Sequence, residues 1–210
     1  MPAPLSGRKA QAARNDGLIV EAAREVFVAD PTAPIAAVAE RAGVGISALY
    51  RRYPSKEDLL RKLCADGLAL YTSIVAKAVA DDGDPWEAFA TFMREIVAAD
   101  THSITNALAG TFTPSPELYE MARRSGELNE QLVDRTRKAG VLRADLDVGD
   151  LGALFGQLAA VSVGDPARDR ELRQRYLTII LDGLRVPPVT TALPGHAPTL
   201  DERARQWDPA

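Results

Sequence analysis

The segment from Pro34 to Leu60 constrains what this chain can fold into more than any other part of its sequence. Its pattern predicts a helix, a turn at Gly43, a very short second helix and a third helix that begins after Ser55. Gly43 falls where the chain leaves the first of these helices, a place that often needs a left-handed backbone. The apolar side chains that two crossing helices would bury are Val38, Ala39, Ala42, Val44, Leu49 and Tyr53. The spacing therefore predicts a helix-turn-helix, whose second helix lies in the major groove of DNA.

The run GVGISALYRRYPSKEDLL, residues 43–60, resembles the recognition segment of the TetR family of bacterial one-component repressors. Residues 19–27, IVEAAREVF, resemble the family's first helix, so the resemblance covers about residues 15–62. The sequence departs from the family pattern at Gly45, where Ser is usual, and at Tyr53, where Phe is usual. The remaining two-thirds of the chain resembles the family only in length and helical periodicity.

Only a few side chains of the short second helix, residues 46–52, can reach base edges. The best placed of them are Ser47, Ala48 and Arg51. Arginine can donate two parallel hydrogen bonds to a guanine, and a small alanine can lie against a thymine methyl group. The resemblance to the family implies that phosphate groups are bound by Tyr50, Tyr53 and Lys56. Arg52 suits either task, and simple solvation of a surface helix is the alternative role for all of these residues.

The distribution of charge agrees with DNA binding by the N-terminal part of the chain. The whole chain has a net charge of −4, which by itself argues against nucleic acid. Residues 1–62 carry 10 Lys and Arg against 7 Asp and Glu, or +3, whereas the other 148 residues carry 15 against 22, or −7. A basic head on an acidic body is the expected footprint of a DNA-binding protein. Arg8, Lys9 and Arg14 form a basic N-terminal arm that either adds contacts to DNA or has no role.

Residue usage predicts a globular protein with no catalytic residues, no metal site and no cofactor. The chain has one cysteine, Cys64, and two histidines, His102 and His196, so neither a disulfide nor a zinc site is expected. The sequence contains no Gly-rich phosphate loop, no His-x-x-x-His pair and no Ser-centred elbow. Residues 1–17 hold no apolar signal region, and no run of 18 apolar residues exists, so a cytoplasmic protein without a membrane partner is expected.

The chain is predicted to be helical throughout, because no segment alternates apolar and polar residues with period two. Helix-start signals with a capping residue before proline occur at Asp84, Ser115 and Asp165, and Asp147 can cap a further helix. These signals give about nine helices, at about residues 14–29, 34–42, 46–52, 56–80, 85–100, 102–111, 116–139, 147–163 and 167–185.

The part of the chain after the predicted head contains apolar side chains that the resemblance assigns to a pocket for a small effector. In the family, the corresponding helices enclose such a pocket, and ligand pockets are mostly apolar with a few polar groups. The candidate residues are Phe89, Phe92, Met93, Ile96, Leu108, Phe112, Met121 and Phe155, with His102 as a polar contact. Ordinary core packing is the alternative for each of them, because periodicity reports burial and not cavities. The sequence indicates no chemical class of effector.

The last two predicted helices show a pattern typical of close helix packing. Small residues recur every four positions on one face of the eighth helix, at Gly152, Gly156 and Ala160. An apolar stripe on the ninth helix consists of Leu172, Tyr176, Ile179, Ile180 and Leu184. The resemblance implies that these helices pair with their copies as a four-helix bundle in a homodimer. Packing within a single chain is the alternative.

These patterns predict an all-α protein with a helix-turn-helix head at residues 1–62, an effector-binding and dimerisation body at 63–185, and a Pro-rich tail at 186–210. The expected function is that of a homodimeric repressor that binds a pseudo-palindromic operator in double-stranded DNA and is released by a small-molecule effector of unknown identity. A helical adaptor that does not bind DNA is the alternative from another class of protein. A DNA-binding regulator that activates transcription or has no effector is a second alternative.

Overall fold

The computed structural model of the protein describes residues 7–186, 193–194 and 198–199. Within these residues the chain forms nine α-helices and no β-strand, which confirms the predicted all-α class. The helices are α1 Gly7–Ala29, α2 Ile35–Ala42, α3 Ile46–Arg52, α4 Lys56–Ala80, α5 Pro85–Ala99, α6 Thr101–Leu108, α7 Pro116–Lys138, α8 Val148–Ala159 and α9 Pro166–Leu184. Most of the tail predicted at 186–210, including His196, lies outside the described residues.

Local capping explains where most of the helices begin. A side-chain oxygen accepts a hydrogen bond from a backbone N–H group in the first turn of α4, α5, α7, α8 and α9, and the capping residues are Ser55, Asp84, Ser115, Asp147 and Asp165. Such caps satisfy amide groups that have no partner within the helix. A proline occupies the first turn of α5, α7 and α9, where its missing N–H removes no helical hydrogen bond. The predicted starts of these five helices are therefore correct to within one residue.

The predicted start of the first helix is wrong. α1 begins at Gly7 rather than near residue 14. Residues 7–13, GRKAQAA, are rich in Ala, Arg, Lys and Gln, which favour helix, and this stretch contains no proline to stop the helix. The basic arm formed by Arg8, Lys9 and Arg14 is therefore part of the first helix of the head.

Two predicted helix ends are also wrong. α6 ends at Leu108 rather than at 111, and Gly110 follows with a left-handed backbone at φ 73°. α8 ends at Ala159 rather than at 163, so Ala160 is its C-cap and not a residue of its packing face. In both places the chain turns earlier than apolar periodicity suggests, because periodicity continues into the turn residues.

The buried side chains form two clusters, and α4 contributes to both. The head cluster joins α1, α2, α3 and the first half of α4 with Ile104, Leu108 and Phe112 from α6 and the turn after it. The body cluster joins the second half of α4 with α5, α7, α8 and α9. Because side chains from α6 complete the core of the head, the helix-turn-helix is packed directly on the body.

α4 is long and apolar enough, by length and composition alone, to span a membrane, with a mean hydropathy of 1.4. The same helix packs against α1, α5, α6 and α7. Its buried side chains point into both clusters, as those of the central helix of a globular protein do.

Candidate nucleic-acid interface and body core

The turn between α2 and α3 has the geometry that a helix-turn-helix needs. Gly43 ends α2 in a left-handed conformation, with φ 64° and ψ 29°, and its N–H donates to the carbonyl of Glu40 at 3.1 Å. Val38 and Leu49 are fully buried where the two helices cross. Gly45 is the N-cap of α3 and supplies no side-chain bond, so the start of this helix lacks the cap that Ser would give.

The side chains predicted to read bases lie on the outer face of α3. Ser47 and Arg51 are exposed, and Ala48 is half-buried. None of the side chains that the structure describes pairs with the Arg51 guanidinium, so its donors are available for a base edge. Tyr50, predicted to bind phosphate, is also exposed. The first residue of α3, Ile46, adds an exposed apolar side chain beside them that the sequence did not single out.

Two other residues predicted to contact DNA are turned toward α1. Arg52 donates to both carboxylate oxygens of Asp16, at 2.6 and 3.2 Å, and the Tyr53 hydroxyl donates to Asp16 Oδ1 at 2.8 Å. The hydrogen bond from Arg52 lowers the pKa of Asp16, whereas burial and the neighbouring carboxylate raise the pKa of Tyr53. Because the Tyr53 ring is buried in the head cluster, the phosphate contact predicted for it does not fit its position.

Lys56 lies at the start of α4, where it joins two parts of the head. Its ammonium group donates to the carbonyl oxygens of Pro31 and Ala33, each at 2.8 Å, and lies 5.0 Å from the centre of the Phe27 ring. Burial lowers the pKa of Lys56. An ammonium group has three donors, so one remains for the phosphate contact that the sequence predicts. Lys56 therefore has a structural role in addition to the predicted one.

The residues predicted to line an effector pocket divide between the two clusters. Those in the body cluster are Phe89, Phe92, Met93, Ile96 and Phe155. Leu108 and Phe112 belong to the head cluster, and Met121 is half-buried. The expectation that all of them surround one space therefore does not fit this conformation, because the turn after α6 carries Phe112 into the core of the head.

Four aromatic rings from four helices meet in the body. They belong to Tyr71 of α4, Phe92 of α5, His102 of α6 and Phe155 of α8, and their centroids lie 5.0 to 6.3 Å apart in the contacting pairs. A cavity of about 10 Å³, lined in part by His102 and Phe155, has room for roughly one water molecule. Burial lowers the pKa of His102 to about 4, so its imidazole is neutral at neutral pH. Tyr71 is not among the predicted pocket residues, because it lies within the apolar run of α4.

The candidate dimer residues on α9 are accessible. Tyr176 and Ile179 are 41% and 62% exposed, and Leu172 and Ile180 are half-buried. A shallow groove of about 520 Å³ lies beside this stripe, and it is lined by Ile179 and by the polar residues Glu171, Gln174, Arg175 and Thr178. Large exposed apolar side chains on one helix face are typical of a surface that another element covers.

Among the small residues of the preceding helix, Gly152 is half-buried and Ala160 is exposed, whereas Gly156 lies against α6. The carbonyl oxygen of Gly156 accepts a hydrogen bond from Asn106 at 3.1 Å, and a Cβ atom at Gly156 would lie 3.6 Å from the Asn106 side chain. The close helix approach predicted at Gly156 is therefore an approach to α6 of the same chain.

A polar junction that the sequence did not reveal connects the head to α9. Arg24 of α1 donates to the carbonyl oxygens of Ala99, at 3.1 Å, and Asp100 at the end of α5. Asp100 has a left-handed backbone at φ 51°, and its carboxylate pairs with Arg173 of α9 at 2.9 Å. Arg173 also donates to the carbonyl oxygen of Ala159 at 2.8 Å, at the end of α8. Head, body core and candidate dimer helices thus meet at one residue, Asp100.

Two protein families match the chain along most of its length. Residues 19–63 match the family described as bacterial regulatory proteins, tetR family. Residues 84–186 match the family described as transcriptional regulator SbtR-like, C-terminal domain. The solved TetR transcription regulatory protein from Mycobacterium vanbaalenii is 30% identical, with 85% of this chain and 99% of that chain covered and a TM-score of 0.56. The chain belongs to the TetR family.

Other solved TetR-family regulators share the fold. One from Streptomyces coelicolor is 27% identical, with 82% of this chain and 99% of that chain covered and a TM-score of 0.57. LfrR from Mycobacterium smegmatis, solved in complex with proflavine, is 23% identical, with 79% and 95% covered and a TM-score of 0.59. None of the curated proteins matches the chain significantly. TetR-family proteins are DNA-binding transcriptional regulators and not enzymes, and this chain has the family's N-terminal DNA-binding domain.

Proposed function

We propose that this TetR-family protein is a cytoplasmic, ligand-responsive repressor that binds a pseudo-palindromic operator as a homodimer and is released by a small-molecule effector. The observation that carries the proposal is the exposed face of α3, where Ser47, Tyr50 and Arg51 project from a helix-turn-helix with a buried crossing. Residues 1–62 would form the DNA-binding head, and residues 63–185 the body that dimerises and binds the effector.

In this proposal each head places α3 in a major groove. Arg51 donates to a guanine, and Ser47 and Ala48 contact neighbouring base edges. Tyr50 and the free donor of Lys56 bind phosphates, which position the head without reading sequence. The positive end of the α4 dipole beside Lys56 favours the same phosphate.

Dimerisation would cover the outer face of α9 and the adjoining surface of α8. Exposed Tyr176 and Ile179 supply apolar surface for the same helix of a second copy. A two-fold arrangement puts the same patch on both partners, so one apolar stripe is sufficient for both sides of the interface.

The effector would bind where the four aromatic rings meet. In this conformation the cavity beside His102 is too small for an effector, so binding requires Tyr71, Phe92 or Phe155 to move. A relative with the same fold, LfrR, was solved in complex with proflavine, which supports small-molecule binding by such a body.

Movement of these rings would reach the head by two routes. α4 carries Tyr71 and continues into the core of the head, and α6 carries His102 while its Leu108 packs in the head cluster. The junction of Arg24, Asp100 and Arg173 keeps the end of α5 in contact with both α1 and α9. An effector that prefers a different head spacing would thereby lower operator affinity.

Selection of bound sequences from random DNA tests the proposal. We expect an enriched pseudo-palindrome whose half-sites lie about one helical turn, or a multiple of it, apart. A reporter gene placed behind the selected operator should be silenced by the protein, and activation instead of silencing would favour the activator alternative. If no motif is enriched at moderate salt, the repressor assignment fails and the adaptor alternative stands.

A further inference from the structure

The carboxylate of Asp16 joins α1 to the C-terminal end of α3. It accepts two hydrogen bonds from Arg52, at 2.6 and 3.2 Å, and one from the Tyr53 hydroxyl, at 2.8 Å. The Asp16 side chain is 24% exposed, whereas that of Arg52 is 56% exposed. Asp16 therefore lies beneath Arg52, an arginine at the surface of the head. Arg52 directly follows the residues of α3 that are proposed to face the major groove.

The Asp16 carboxylate fixes the orientation of the Arg52 guanidinium as well as attracting its positive charge. Nε and Nη2 bind separate oxygens of Asp16, which is the two-point geometry that suits a guanidinium and a carboxylate. The guanidinium carbon also lies 5.3 Å from the centre of the Tyr53 ring. The mutual hydrogen bonds lower the pKa of Asp16 and raise the pKa of Arg52, so both partners stay charged and the pair is neutral as a unit.

The preceding residue shows the opposite situation. None of the described side chains pairs with Arg51, and consecutive residues of a helix point about 100° apart. The two adjacent arginines at the end of α3 therefore face different surroundings. Arg51 is presented to the groove, and Arg52 is turned back to α1.

We propose that Asp16 is a positioning residue for DNA binding, which withholds Arg52 from the DNA backbone and so lowers the affinity that is independent of sequence. The inference rests on the proposed operator binding. Phosphate contacts by Lys and Arg supply nearly all of the non-specific affinity of a DNA-binding protein. Without the Asp16 carboxylate, Arg52 gains the freedom to bind a phosphate next to the groove that α3 occupies.

The salt dependence of binding measures this effect directly. Each phosphate contact makes the affinity fall with about the 0.9 power of the salt concentration. Freeing Arg52 in both heads of a dimer adds two contacts. An increase in salt from about 50 to about 200 mM should then cost the Asp16→Asn protein about 12-fold more affinity than it costs the wild type.

The experiment compares four full-length proteins on a DNA duplex of unrelated sequence and on the selected operator. They are the wild type, Asp16→Asn, the double variant Asp16→Asn with Arg52→Gln, and Asp134→Asn. Asn at position 16 keeps an oxygen that can accept from the Tyr53 hydroxyl while it removes the charge. We expect Asp16→Asn to bind both duplexes more tightly at low salt and with the steeper salt dependence. The double variant has the same net charge as the wild type and should show the wild-type salt dependence.

Asp134→Asn is the matched control for a general change of charge. Asp134 pairs with Arg137 at 2.7 Å near the end of α7, where the neighbouring Leu132 and Val133 belong to the body cluster and not to the head. This variant should raise affinity only slightly, with little change in the slope. A melting curve of each variant shows whether the head is still folded.

Equal slopes for Asp16→Asn and the wild type would overturn the inference. A double variant whose slope is shallower than that of the wild type would overturn it independently, because Arg52 would then already bind phosphate in the wild type. If the wild type binds both duplexes with equal affinity, the proposed operator recognition fails, but the slopes still decide the role of Asp16. If the wild type binds no DNA at low salt, both proposals fall together.

Discussion

Lowering the pH from 7 to 5 should destabilise this protein through His102, because its buried imidazole resists protonation. The folded-state pKa of His102 is about 4, against an ordinary value of 6.5. The rings of Tyr71 and Phe155 lie 5.7 and 5.0 Å away and displace the water that would solvate a charged imidazole. The carboxylate of Asp100 opposes this shift only in part.

The sign and size of the effect follow from proton linkage. Between pH 4 and 6.5 the unfolded chain binds more protons at this residue than the folded chain, so the free energy of unfolding rises with pH. The loss of stability begins as the pH falls through 6.5 and levels off below about 4. From pH 7 to 5 these two pKa values give a loss of about 2 kcal/mol, and the complete titration gives about 3 kcal/mol.

Urea unfolding at several pH values, at one fixed protein concentration, measures this contribution when the wild type is compared with His102→Gln. The wild type should lose about 2 kcal/mol more than His102→Gln between pH 7 and 5. Parallel pH dependences for the wild type and His102→Gln would show that the imidazole titrates normally in the folded protein, and the reasoning from burial would be refuted.

Three further predictions concern the proposed function. In a binding titration, Arg51→Ala should cost about 1–3 kcal/mol of binding free energy per half-site and relax base preference there, and an unchanged base preference would contradict its role. Lys56→Ala should weaken binding to all sequences. It should also lower the melting temperature, because two carbonyl groups lose their donor. Ile179→Glu should yield monomers in sedimentation while the control Tyr119→Glu, an equally exposed position on α7, stays dimeric, and a dimeric Ile179→Glu would place the interface elsewhere. A panel of apolar and aromatic compounds should contain at least one that raises the melting temperature of the wild type by binding only the folded state; the rise should disappear in Phe155→Ala, and an unaffected rise would move the effector site away from the aromatic rings.

The sequence by itself determined the helical architecture and the recognition element, because both depend on interactions between near neighbours. The caps at Ser55 and Asp84 act within three residues of themselves, and Gly43 permits the turn through its own backbone conformation. Helix ends were less accurate. Ala160, predicted to lie inside α8, is its C-cap, because apolar periodicity does not show where a chain leaves its helix.

Only the tertiary structure decided which of the selected side chains are available to a ligand. Arg52 and Arg51 are adjacent and chemically identical, yet Asp16, 36 residues away, engages only Arg52. Gly156 fits a partner helix by its spacing, but Asn106 of the same chain lies against it. The face of a helix on which a residue lies can be calculated from the sequence. Which other element covers that face depends on packing between residues that are distant in the chain. That packing made the outer face of α9 accessible and closed the body core around His102.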